Sequence, residues 1–240
     1  MEARSAVIHE RLKGVSRIVA VTGNKGGVGK TTVAGMIALM LKEEGFSVGL
    51  LDADVTSPSA NILLGADYKL PEEDHGIIPP DVAGIKLMSL WYYSKDEPTP
   101  LRGKEISNVL IELLAITQWG NLDFLIVDLP PGLSDAILEF IRLINRIEFI
   151  VVGTGSPLAV PSIKKSVQVL EDMKLPILGI IENMGKTGDL RGLEADCLGA
   201  LDFDLDIENA IGHPDKLKNL QIAKELRQCM KKLTGFVHGP

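Results

Sequence analysis

Apolar residues along the chain follow two alternating periods. Ile8, Leu12 and Val15 are spaced as on one face of a short helix, and residues 17–22 (RIVAVT) form a β-branched run that predicts a buried strand. From Thr31 the period changes, with Val33, Met36, Ile37, Met40 and Leu41 marking a helical face that Gly45 is expected to end. Further apolar runs at 48–52, 86–90, 124–127, 149–152 and 177–181 predict strands, and helical patterns at 104–116 and 163–173 fall between them. Continuous apolar strands alternating with helices imply a doubly wound α/β fold, a mostly parallel sheet with helices on both faces. No linker divides it. Residues 1–240 read as one domain, with a helical lead-in over 1–16 and a closing helix over 215–233, where Leu217, Leu220, Ala223, Leu226, Met230 and Leu233 share a side.

Two segments break the pattern. Residues 67–83, rich in proline and acid, and residues 185–199 are expected to be irregular surface excursions. Trp91, Tyr92 and Tyr93 are read as packing at a strand end, or as a patch that faces a partner.

Composition narrows the class. Hydrophobic residues make up 45% of the chain and charged residues 24%, which excludes disorder. The formal charge of -7 gives no electrostatic reason to expect nucleic acid or an anionic membrane as a partner. Cys197 and Cys229 lie too far apart in sequence to suggest a disulfide framework, so a reducing cytoplasm is the expected compartment. The first 13 residues interrupt their apolar positions with charges and lack the core of a secretion signal. No run is long enough to span a bilayer. His9, His75 and His213 show no metal-ligand spacing.

The chemistry concentrates in residues 23–32, GNKGGVGKTT, between a predicted strand and a predicted helix. Gly26, Gly27 and Gly29 allow successive backbone N–H groups, with those of Val28 and Thr32, to close around phosphate oxygens at a helix N-terminus. Lys30 is positioned for the β and γ phosphates, and Thr31 offers a hydroxyl to Mg²⁺. The general phosphate-loop pattern places its first glycine where this chain has Asn24. Three aspartates follow apolar strands at the edge where ligands bind: Asp52 and Asp54 in LLDADV, and Asp128 in LIVDLPPG. All three are candidate metal-site carboxylates, and the Pro-Pro-Gly after Asp128 can shift when a γ-phosphate leaves.

The loop KGGVGKT (25–31) resembles the deviant phosphate loop of the Mrp/MinD/ParA ATPases, whose signature lysine is here Lys25. Together with LDADV (51–55), SPS (57–59), LIVDLPPG (125–132) and LGIIENM (178–184), it looks like the Mrp branch. The resemblance implies an ATP/ADP and Mg²⁺ site and an ATP-dependent homodimer in which Lys25 reaches the other subunit's phosphates. It also implies Asp54 near the attacking water and Asn183 on the adenine. With Lys25, Lys30 and Asp54 in catalytic roles, the chain is expected to be a slow, regulatory ATP hydrolase.

Mrp-type iron–sulfur carriers have a Cys-x-x-Cys pair beyond residue 184, which this chain lacks. Residues 8–13, 70–80, 98–106 and 119–123 resemble archaeal Mrp-type ATPases of nickel–iron hydrogenase maturation. That resemblance implies a small HypA-type metallochaperone as partner and no iron–sulfur cluster. An Mrp-type iron–sulfur carrier and a MinD-like positioning ATPase are the competing readings; the closing stripe lacks the Trp or Phe of a membrane-gripping helix, and packing on the sheet explains it.

Overall fold

The structure is a computed structural model that describes residues 2–94, 101, 103–185, 190, 193 and 195–234. Residues 98–100, 102 and 186–189, which carry part of the sequence reading, lie outside the described residues, as does the Leu233 side chain.

The chain opens with α1 (Glu2–Leu12), β1 (Val15–Thr22), α2 (Lys30–Glu43), β2 (Val48–Asp52) and α3 (Ala60–Leu64). Short strands β3 (Glu72–Glu73), β4 (Ile77–Ile78) and β5 (Asp81–Val82) precede β6 (Ile85–Ser89), α4 (Trp91–Ser94) and α5 (Lys104–Ile116). Then come β7 (Leu122–Asp128), α6 (Asp135–Arg142), β8 (Ile147–Gly153), α7 (Val160–Asp172) and β9 (Ile177–Glu182). The last elements are β10 (Cys197–Ala200), α8 (Ile207–Ala210), α9 (Pro214–Leu217) and α10 (Gln221–Thr234).

Among the described residues, eight strands form one sheet in the order β10-β9-β8-β1-β7-β2-β6-β5, and every pairing in it is parallel except β5 with β6. Strand alternation divides the core between the two faces. Val19, Val21, Leu50, Ile126 and Ile150 pack with α2, α3 and α10, whereas Ile18, Ala20, Leu51, Leu125 and Phe149 pack with α1, α5, α6 and α7. Parallel crossovers bring the ends of β1, β2, β7 and β9 to one edge, and β1 lies between β7 and β8, where the strand order reverses.

The elements depart from the sequence reading in four places. Val15 joins β1, so the lead-in ends at Leu12. The closing helix is broken: α9 stops at Leu217, the Asn219 amide donates to the Asp215 carbonyl (2.7 Å), and Asp204 accepts the Ile222 N–H (3.3 Å) at the start of α10. Residues 67–83 contain the β3–β4 hairpin, turned by His75 (φ 51°) and Gly76, followed by β5. Within 185–199, Cys197–Ala200 is an edge strand with a bulge, too short to show a period in sequence. Tyr92 is buried in α4, Trp91 meets Tyr68 edge-on, and Tyr93 is exposed.

Candidate functional site

Residues 23–29 connect β1 to α2 as an irregular loop, with Gly29 (φ 85°) capping the helix. Gly27 (φ 77°) shares this left-handed backbone, which a side chain would strain. A Cβ at Gly26 or Gly27 would meet no atom within 4 Å and would project into open space. The loop therefore has the form of an open cradle of backbone. It lines a cleft of about 410 Å³ together with Lys30, Thr31, Thr32, Asp54, Thr56, Ser57, Ser59 and Pro131.

Lys30 is 7% exposed, and its Nζ donates to the Lys25 carbonyl at 3.5 Å, a long bond that a phosphate oxygen can replace. Lys25 itself is exposed. Val28 is buried, and its carbonyl accepts the Asn183 side-chain N–H at 2.9 Å. Asn183 is 4% exposed and lies against Gly29, where any Cβ would collide with it. In this arrangement it braces the loop.

The three aspartates separate in geometry. Asp128 and Asp52 pair across neighbouring strands β7 and β2 and are buried, whereas Asp54 lies beyond the end of β2 and is half-buried. Burial raises the Asp128 carboxyl, the Asp52 charge raises it further, and Thr31 and Lys30 act in the opposite direction. Both Asp128 oxygens are buried and lack a hydrogen-bond partner within bonding geometry among the described residues. A buried carboxylate with no partner at bonding distance among the described residues, near a threonine hydroxyl and a lysine under a glycine cradle, fits a hydrated divalent cation carrying phosphate.

Burial also raises Asp52, against three backbone N–H groups that favour its charge. Those N–H groups belong to Asp54, Ser59 and Ala60 (3.2, 3.0 and 3.1 Å), and the Ser89 hydroxyl adds a fourth bond at 3.4 Å. Asp54 Oδ1 accepts from the Thr56 hydroxyl (2.9 Å) and the Ser57 N–H (3.2 Å), which closes a turn at the mouth of the cleft. Ser59 Oγ donates to Thr31 Oγ1 at 3.3 Å. Sequence reasoning singled out neither Ser59 nor Ser89 as a site residue. Ser59 was visible only within the SPS motif, and nothing marks Ser89 beyond its place at a strand end.

Residues 14–193 match the family model described as ParA: NUBPL iron-transfer P-loop NTPase. The chain belongs to that family. An iron–sulfur cluster carrier protein of Aquifex aeolicus is 40% identical over 73% of this chain, which spans about half (49%) of that protein's length. One of Methanocaldococcus jannaschii is 32% identical over 98% of this chain and 90% of its own length. A nucleotide-binding protein of Archaeoglobus fulgidus, solved in complex with ADP, superposes with a TM-score of 0.72 at 29% identity, covering 89% of this chain and 91% of that one. The P-loop NTPase fold expected from the sequence thus holds.

The same findings overturn the expected role in nickel–iron hydrogenase maturation, its HypA-type metallochaperone partner and the expectation of no iron–sulfur cluster, since relatives at 32–40% identity are named iron–sulfur cluster carriers. The segments that carry the hydrogenase resemblance are in part ordinary packing: Ile8 and Leu12 are core residues, Trp119 is fully buried, and Arg11 bonds the Ala115 and His75 carbonyls. Residues that pack a lead-in helix onto a sheet carry no information about a client.

Among the described residues, no cluster of three or more His, Cys, Asp or Glu could hold a metal ion, and no helix is long and apolar enough to cross a membrane. Cys197 is half-buried on β10, and Cys229 is 3% exposed in α10.

Proposed function

We propose that this chain binds Mg-ATP, hydrolyses it slowly, and uses the cycle to carry an iron–sulfur cluster between proteins. The observation that carries the ATPase part is the buried Lys30 and the buried Asp128 carboxylate, whose oxygens have no partner within bonding geometry among the described residues, under an open glycine loop. The names of the curated relatives support the cargo.

Backbone N–H groups of residues 26–31 donate to the phosphates, and Lys30 exchanges its 3.5 Å bond to the loop carbonyl for the terminal phosphates. Thr31 and Asp128 would hold Mg²⁺, which when bound would supply charge neutralisation on the phosphoryl oxygens. Asp54, at the cleft mouth, orients the attacking water, and Lys25 reaches the phosphates of a second copy. Asn183 is the polar contact for the base, so its brace on Val28 links base binding to the shape of the phosphate loop. Among the described residues no histidine lines the cleft, and a single half-buried carboxylate makes a weak base, which supports the reading of slow turnover.

The thiols constrain how a cluster is carried. With one half-buried Cys197 per chain, a dimer offers two thiolates, so the remaining iron ligands come from the donor or acceptor protein. Such a cluster is held briefly and passed on. Anaerobic reconstitution with iron and sulfide, followed by transfer to an apo-acceptor, tests this reading. The expected result is a chromophore that depends on nucleotide and is lost in Cys197→Ala. A protein that turns over ATP but neither forms nor transfers a cluster sinks the cargo assignment. Lys30→Ala is expected to abolish nucleotide binding in calorimetry; unchanged affinity would remove the ATPase assignment.

A further inference from the structure

Asp52 and Asp128 are alike in sequence, each closing an apolar strand, yet their carboxylates are differently engaged. Asp128 Oδ1 and Oδ2 are buried without a hydrogen-bond partner among the described residues. Asp52 Oδ2 accepts the Ser59 and Ala60 N–H groups and the Ser89 hydroxyl, and Oδ1 accepts the Asp54 N–H. Oδ2 is thus fully engaged by three donors, and Oδ1, with one, has a single lone-pair position left to offer a cation. What Asp52 does hold is the loop from Asp54 to Ser59, pinned at both ends.

Ser59 is the last residue of that loop and the only one whose side chain bonds to the phosphate loop among the described residues. A threonine hydroxyl has one proton and two lone pairs. The Ser59 proton takes one lone pair of Thr31, the Thr31 hydroxyl favours the charge of Asp128, and the second lone pair is left for a cation. The Ser59 and Asp128 contacts together set the rotor of Thr31.

We infer that Ser59 is a positioning residue that orients the Thr31 hydroxyl for magnesium, and that Asp52 serves the metal only by pinning the Ser59 loop. This assignment deepens the ATPase reading and rests on it.

The test compares Ser59→Ala, Ser59→Thr, Asp52→Asn and the Ser59→Ala/Asp52→Asn double variant. Mg²⁺ is titrated into the ADP-bound proteins by calorimetry, alongside amide hydrogen exchange at residues 59 and 60. Ser59→Ala is expected to raise the Mg²⁺ midpoint about three- to tenfold, the scale of one hydrogen bond, with metal-free ADP affinity unchanged. Ser59→Thr restores the midpoint, because it restores the hydroxyl. Asp52→Asn raises it as Ser59→Ala does and speeds exchange at both amides, and the double variant is no worse than Asp52→Asn alone, as for residues acting through one loop. If Asp52→Asn fails to fold, the Ala and Thr variants at position 59 carry the test. A wild-type midpoint in Ser59→Ala overturns the inference, and so does additivity in the double variant. If Asp52→Asn alone weakens magnesium, Asp52 is a metal ligand. A wild-type protein that binds no Mg-nucleotide removes the ATPase reading and this assignment with it.

Discussion

At the ends of β2 and β7, Asp52 and Asp128 face each other in register, and burial pushes both carboxyls above the ordinary carboxylate range. A carboxyl whose native pKa is raised binds its proton more tightly in the folded than in the unfolded chain. Stability from this source is therefore present at acid pH and is lost as pH rises through the native pKa. The nucleotide-free protein is expected to lose stability from acid pH toward neutrality and beyond, and Mg-nucleotide is expected to return it by supplying the missing positive charge. Asp128→Asn removes one buried charge and is expected to raise the Tm of the nucleotide-free protein by several degrees at mildly alkaline pH, at about 2–4 °C per kcal/mol for a chain of this size. The same variant is expected to lose the extra stabilisation by Mg-ADP. Thermal melts across pH with and without ligand check both, and a variant less stable than wild type at alkaline pH contradicts the sign. The phosphate loop was legible because glycine spacing, two lysines and strand-to-helix placement are all local. The different engagement of Asp52 and Asp128 was not legible, because it depends on which loop folds back over which strand end.

Gly49 lies in β2, where a Cβ would come within 2.8–2.9 Å of Leu122 and of the Trp119 ring. Trp119 is fully buried beneath it, so the missing side chain on the strand makes room for the largest side chain in the core. Gly49→Ala is expected to cost about 1–3 kcal/mol, as overpacking of a filled core does. Urea unfolding followed by tryptophan fluorescence measures it, and an unchanged midpoint would show that Trp119 can yield. On the other face, Ala223, Leu226 and Met230 of α10 are buried in the core, and Arg227 bonds Glu43 of α2 at 3.0 Å. Among the described side chains, the apolar stripe of this helix is thus already covered. Leu226→Ala is expected to destabilise by about 2–5 kcal/mol, while wild-type protein leaves anionic vesicles unbound in flotation. Long buried strands and α5 were legible from apolar runs and helical period alone. The edge strand β10 and the break before α10 were not: the one is four residues with a bulge, and the other depends on Asp204, 18 residues away from Ile222.

Two copies of a chain with formal charge -7 repel, so an ATP-dependent dimer needs positive charge at the contact. Lys25 is exposed, while Lys30 is buried and is the lysine proposed for the nucleotide of its own chain. A second ammonium at that phosphate would be redundant, whereas the triphosphate of a facing copy is an uncompensated anion. The expected dimer therefore forms with ATP and loosens with ADP, because loss of the γ-phosphate removes the charge that Lys25 meets. Asp54→Asn is expected to retain ATP and to accumulate the dimer in light scattering. Adding Lys25→Ala is expected to weaken that dimer by at least about tenfold while leaving ATP affinity of the monomer intact, as when one partner of a desolvated charge pair is removed. Moderate salt separates the terms: screening relieves the overall repulsion, yet a shielded contact between Lys25 and phosphate persists. A strict monomer at saturating ATP, or a dimer indifferent to Lys25→Ala, would leave Lys25 without this role and the cluster-carrying reading without its second thiolate.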